Sequence, residues 1–161
     1  MDIKRIILYL SITLMAGIVF PNIYTSIVDA PIWSSNIPES IEISRSYYAN
    51  LNPAHFFRIL TPINHVLAIL VLILFWKSSK KVRLYFGLGL LFSILMFVIT
   101  IGYFWPRNEI IFNSDITKNL SAITNACEEW QNMNWVRSSI GIAAMIFQFM
   151  GLHKIGVTSQ T

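Results

Sequence analysis

The stretch LYFGLGLLFSILMFVITIGYFW, Leu84 to Trp105, carries no charged residue. A membrane-crossing helix needs about 20 predominantly apolar residues. A helix buried inside a soluble protein rarely runs that far without a polar stripe. Three further runs repeat the pattern, Ile6–Val28, Ile59–Trp76 and Val136–Leu152, and Arg137, at the edge of the last, is the one Lys, Arg, Asp or Glu within the four. The composition agrees: of 161 residues, 55% are apolar and 12% charged, with a mean hydropathy of +0.58. Soluble domains are roughly 25% charged. Disorder is excluded by the same balance, and a disulfide scaffold by the single cysteine, Cys127. The reading is an all-α integral membrane four-helix bundle, one domain over residues 1–161. Lys4 and Arg5 precede the first run as they would in a secretory signal. The run exceeds a signal's apolar core of about 7–15 residues, so it is read as a retained span.

Lys and Arg in short loops set orientation. Lys4, Arg5, Lys77, Lys80, Lys81, Arg83 and Lys154 fall on one side, with Asp2 the sole acid there. The other side holds five basic residues against seven acids. Both termini are therefore expected in the cytoplasm, in a membrane of the bacterial inner-membrane kind. The pI near 9.4 reports this topology; the basic residues are not interleaved as a nucleic-acid groove, and no nucleic-acid partner is expected.

The outer connections, 29–58 and 106–135, are too long for structureless coil. Pro38 opens a short helix through Leu51, with Ile37, Ile41, Ser44, Tyr48 and Leu51 as its stripe. Asn52-Pro53 reads as a cap and first residue leading into the second span, with Pro62 a second start or a kink. In the other connection Asn113, Ser114 or Asp115 can cap a helix. The register Ile116, Leu120, Ile123, Cys127, Trp130, Asn134, Arg137, Gly141, Ala144 and Gln148 predicts one helix from about Asp115 to Leu152, beginning outside and running on as the last span. Gly87, Gly89, Gly141 and Ala144 are candidates for close helix approach. Val157 to Thr161 read as a frayed tail.

Polar groups inside lipid are costly and hence informative. Asn22, Asn64, His65, Thr100, Tyr103, Asn134 and Arg137 all lie within about 10 Å of the outer ends of their spans by the helical rise, which predicts one polar layer. Gln148 lies deeper. The structural account is interhelical hydrogen bonding; the functional account is a binding or reactive site. His65 is the one imidazole within a span and can serve as a general base. Arg137 is predicted to point inward, towards Asn22, Asn64, His65 or Tyr103, with Glu128, Glu129 or Asp29 as candidate counter-ions. No spacing typical of metal ligands occurs, and Gly-rich phosphate loops are absent from the sequence. Neither a metal nor a cofactor is expected.

Trp130-Gln-Asn-Met-Asn134-Trp-Val-Arg137, leading into the last span, resembles the W-x3-N-x2-R stretch of a bacterial and fungal integral membrane family. That family is catalogued largely as a domain of unknown function and includes the fungal anthrone oxygenases. Pro106-Arg-Asn108 is similar to its P-x-N turn, and Asn52-Pro53 also fits. The resemblance implies four spans with longer loops after the first and third. It also implies a cofactor-independent oxygenase-like enzyme on an apolar aromatic substrate. In that reading His65 removes a proton, Arg137 and Asn134 stabilise the anion, and Asn22, Asn64, Tyr103 and Trp130 line the ligand. The alternative is a non-enzymatic accessory or structural subunit of a larger membrane complex. Expected partners are the lipid bilayer, an apolar small molecule, and a membrane protein or a second copy of the chain.

Overall fold

The computed structural model describes residues 2–158, with side chains to Gly156. All its regular elements are helical. Asp2 caps α1 (Ile3–Tyr24), its carboxylate accepting from the Lys4 amide at 3.3 Å. Pro21 sits inside α1, where it has no N–H to donate to the preceding turn. The chain then widens into a π-helical turn, Thr25–Asp29, and continues as α2 (Ala30–Trp33). The helix α3 is Glu39–Tyr47, shorter than the span from Pro38 to Leu51 that its stripe suggested. Ile41 and Ser44 are buried, but Leu51 is exposed beyond its end. Asn52 caps α4 (Pro53–Leu74) in a reciprocal box with His55. That helix passes through Pro62 without a second start.

Ser79 caps α5 (Lys80–Ile99). A second π-helical turn, Thr100–Phe104, joins it to α6 (Trp105–Asn113). Pro106 and Asn108 thus lie in a helix, not in the turn expected of them: Pro106 follows directly on the π turn and has no N–H to donate back to it. Finally α7 runs from Ile116 to Thr158, 43 residues, or about 64 Å at 1.5 Å per residue. It is continuous through Glu129–Ser139, as the register predicted. Its one irregularity is a kink at Asn119, whose amide side chain bonds the Asp115 carbonyl at 3.0 Å. Of the expected frayed tail, Val157 and Thr158 are helical in backbone; residues 159–161 lie outside the described residues.

Four helical stretches are long and apolar enough to cross a membrane: Ile3–Trp33, Pro53–Leu74, Lys80–Asn113 and Ile116–Gly156. The protein is an integral membrane protein, and the helices that carry three of its spans extend beyond the apolar runs at both ends. The long helices α1, α4, α5 and α7 neighbour one another in a ring in that order. Leu10, Phe20, Ile59, Val66, Ile73, Leu91, Val98, Val136 and Ile146 are exposed on its outside. That much apolar surface suits lipid rather than water.

Three cores stack along the axis. One, built on Leu8, Val71, Phe75, Val82 and Phe86, lies at the end bearing the α4–α5 connection. The middle one holds Met15, Ile18, Val19, Met96 and Ala144. The third joins α2, α3, α6 and the first half of α7 through Trp33, Ile41, Phe104, Ile111, Ile123, Cys127 and Trp130. Arg45 locks this outer lobe: its guanidinium donates to the Ile111 carbonyl (3.0 and 2.6 Å) and the Ser114 carbonyl (2.7 Å). Those carbonyls end α6 and have no helical partner. Close helix approach uses Gly141 against Val19, and Gly89 against Ala144 and Gln148. Gly87, also expected at a contact, faces open space, whereas Gly151, which the sequence reading passed over, is packed on the Phe86 ring.

Candidate functional site

The two π-helical turns lie at corresponding heights, at the outer ends of α1 and α5, and α7 passes both. A π turn leaves a carbonyl free of the regular ladder and recurs at functional sites. Here the space between them is filled from α7. Asn134 is fully buried; its Nδ2 donates to the Asn22 carbonyl at 2.8 Å and to Ser26 Oγ at 2.6 Å. Its Oδ1 accepts from Nε (3.0 Å) and from Nη2 of Arg137. Arg137 Nη1 donates to Thr100 Oγ1 at 3.4 Å, and Thr100 Oγ1 in turn donates to the Met96 carbonyl at 2.9 Å. The guanidinium lies 3.7 Å from the Phe104 ring centre and 5.4 Å from that of Trp130. Asn134 thus serves as a joint between α1 and Arg137, using both ends of one amide.

Arg137 points inward, 7% exposed. Three of the five N–H groups that a guanidinium carries are engaged in these bonds. No carboxylate among the described residues pairs with it. Glu129, one sequence candidate, is held by Arg107 at 2.6 Å, and Asp115 by Lys118 at 3.2 Å. The result is a buried cation balanced by an amide oxygen, a hydroxyl and two aromatic faces.

Trp130 closes the outer side. Its Nε1 donates to Asn108 Oδ1 at 2.8 Å, and its ring meets Trp33 at 4.9 Å and Phe104 at 5.1 Å, both edge-on. Tyr103 belongs to a neighbouring, more exposed group. Arg107 lies 3.4 Å over its ring, and its hydroxyl donates to the Glu129 carbonyl at 3.4 Å. Further out, burial, with Asp29 as the second cause, pushes the Tyr48 phenol up to about 12.

Asn64 and His65 do not join this cluster, so the single polar layer resolves into two tiers. Asn64 donates to Ser93 Oγ at 3.0 Å and to Met15 Sδ at 3.5 Å. Ser93 and Met15 lie one to two turns deeper than Thr100 and Asn22, about 10 Å by the helical rise. The apolar pattern misplaced Asn64 because α4 starts at Pro53, outside the apolar run, and so sits lower in the ring. His65 stands beside the Phe97 ring at 5.5 Å, with its Nε2 buried and unpartnered. Ser11 Oγ, Asn64 Oδ1, Ser138 Oγ and Gln148 Oε1 are likewise buried without a partner. Sequence reasoning missed Ser26, Ser93 and Phe104, and gave Asn108 a place in a motif but no partner. Ser26 was legible as one turn from Asn22 on the same face; Ser93 and Phe104 carry no signal that separates them from packing residues.

Gln148 offers a check on the lower tier. An unpaired buried oxygen costs about 1–3 kcal/mol, while an apolar replacement of similar shape can be neutral or better. Gln148→Met is therefore expected to hold or raise the melting temperature in detergent. A marked drop would show that Oε1 has a partner, such as an internal water.

A four-span bundle with a buried, carboxylate-free arginine framed by two π turns defines the class: a membrane protein with a cationic intramembrane centre. The chain belongs to the anthrone oxygenase family, whose sequence model matches residues 54–147. That match takes in α4 from Ala54, α5, α6 and α7 through Phe147, so Asn64, His65, Tyr103, Trp130, Asn134 and Arg137 all fall within it, while Asn22 falls outside. Comparison with curated proteins and with solved structures gives no match.

Proposed function

We propose that this protein is an oxygenase-type membrane enzyme that oxidises an apolar aromatic substrate with an acidified C–H bond, such as an anthrone-like methylene. The observation that carries the reading is Arg137. A buried cation without a carboxylate is expensive in a membrane, and two of its N–H groups are left for a guest. An anionic oxygen formed during reaction satisfies both requirements, and stabilisation of such an oxygen by preorganised donors is a large catalytic term.

The chemistry closes without a further reductant. His65 Nε2, unpartnered, takes the proton from carbon, and the negative charge delocalises onto the substrate oxygen beside Arg137, held in place by Asn134. Dioxygen adds to the carbanion carbon and, with the returned proton, gives a hydroperoxide. Loss of water across the C–H and O–O bonds leaves a carbonyl. One oxygen atom enters the product, the other leaves as water, and the C–H electrons are the reductant. Asn22, Asn64, Tyr103 and Trp130 are assigned to substrate contact.

Oxygen uptake and quinone absorbance, measured on purified protein in mild detergent with an anthrone, test this. Wild type is expected to exceed the autoxidation rate, and His65→Phe to return to it. Wild-type turnover no faster than autoxidation, with a partner protein co-purifying in fixed ratio, would favour the accessory-subunit reading instead.

We further infer, from the segregation of Lys and Arg between the two sides, that both termini lie in the cytoplasm. A cysteine at Ser79 is expected to resist an impermeant thiol reagent in intact cells, and one at Tyr47, 80% exposed, to react. Ser44 is unsuitable because it is buried, and the native Cys127 is buried as well. Labelling at Ser79 from outside overturns the orientation.

A further inference from the structure

Where α1 begins and α4 ends, at the opposite end of the bundle from Arg137, a groove of about 510 Å3 opens on the surface, lined by Lys4, Ile73, Leu74, Trp76 and Lys77. Its walls divide by chemistry. Ile73 and Trp76 are 61% and 58% exposed, so the groove presents an apolar strip on the lipid-facing side. Lys4 and Lys77 stand at its rim, and neither ammonium is engaged by a carboxylate among the described residues. The acid close by, Asp2, is turned to the Lys4 amide as a helix cap. Trp76 is held in place from the other side: Arg83 donates to its carbonyl at 3.1 Å and lies 5.6 Å from its ring centre. An aromatic ring at the end of a span marks the headgroup level.

We propose that this groove is a binding site for a phospholipid with an anionic headgroup. The phosphate sits between the Lys4 and Lys77 ammonium groups, and an acyl chain lies along Ile73 and Leu74 beneath Trp76. Charge complementarity selects the occupant. A zwitterionic lipid brings its own cation to the same place, whereas an anionic headgroup meets two unneutralised lysines beside Arg83. Juxtamembrane lysines attract anionic lipid in general; the groove adds a fixed place for the phosphate and an apolar wall for the chain.

The test uses the full chain in detergent, titrated with phosphatidylglycerol or phosphatidylcholine. Two readouts apply: melting temperature, and quenching of tryptophan fluorescence by acyl-brominated forms of each lipid, with Trp76→Phe to identify the responding ring. Phosphatidylglycerol is expected to raise the melting temperature and quench Trp76 at concentrations where phosphatidylcholine does neither. Lys4→Ala/Lys77→Ala is expected to weaken the phosphatidylglycerol response by about 10-fold or more. Lys80→Ala/Lys81→Ala removes the same charge from the same end and is expected to leave it within about two-fold. Both lysine pairs are exposed, and the unliganded melting temperature of each variant verifies that it is folded. Equal responses to the two lipids overturn the proposal. So does an equal loss in the two double variants, which would reduce the effect to diffuse surface charge.

Discussion

Arg137→Met is expected to leave the protein folded while lowering turnover by about 10²–10³-fold, the loss that follows removal of one preorganised donor to a developing anion. Methionine keeps most of the apolar contact with Phe104 and removes a cation that no carboxylate balances. The structural cost is the orphaned Oδ1 of Asn134, about 1–3 kcal/mol. Asn134→Leu acts in the opposite sense. The guanidinium stays but loses two of its three hydrogen bonds, and the bonds from α7 to the Asn22 carbonyl and Ser26 go with them. A buried charged group stripped of its partner costs about 3 kcal/mol or more. The double variant Asn134→Leu/Arg137→Met is expected to melt above Asn134→Leu alone, because no stranded charge remains, with a coupling of about 0.5–3 kcal/mol. Thermal unfolding in detergent and oxygen uptake, measured on the same four proteins, separate the roles. If Arg137→Met melts as low as Asn134→Leu, Arg137 is a structural keystone and its assignment to chemistry falls.

The second large effect lies in the glycines of α7. A Cβ on Gly141 would meet Val19 Cγ2 at 2.7 Å and Met96 Sδ at 3.1 Å, and one on Gly151 would run into the Phe86 ring. Methionine can yield; a phenyl ring packed 5.4 Å from Phe75 in a closed core cannot. Gly151→Ala is expected to cost about 1–3 kcal/mol from overpacking, and Gly141→Leu more than Ile140→Leu, since Ile140 is only partly buried. Gly87→Ala, with nothing within 4 Å of the added carbon, should instead gain up to about 1 kcal/mol from helix propensity. Melting temperatures of the four variants check both signs. A destabilising Gly87→Ala would show that a surface taken as lipid-facing is covered.

Element existence was legible because membrane spans announce themselves by length, and the cap at Asn52 follows from hydrogen-bond chemistry. The course of α7 beyond its kink at Asn119 was legible too, since a shared register ran through Cys127, Trp130, Asn134 and Arg137. Rotation about each helix axis was harder to read. In a bundle whose outer face is also apolar, hydrophobicity does not say which face turns inward. Gly87, expected at a contact, therefore faces open space, and the contact at Gly151 carries no signal in the sequence. Depth suffered similarly, because Asn64 was measured from the start of an apolar run rather than from the start of α4. Counter-ion choice depended on α6, whose Arg107 takes Glu129 and leaves Arg137 without an acid. That helix was read as part of a loop, so the competition was invisible.

The 43 residues of α7 also have a mechanical meaning. Contacts at Gly141 and Gly151 clamp the membrane half of this rod against α1 and α5. Its outer portion, up to Trp130, packs in the core shared with α2, α3 and α6 and is pinned to α6 through Arg107 and Trp130. The level at which the two halves meet is that of Asn134 and Arg137, tied sideways to the Asn22 carbonyl, Ser26 and Thr100, so the outer lobe and the membrane bundle share one rod and one polar joint.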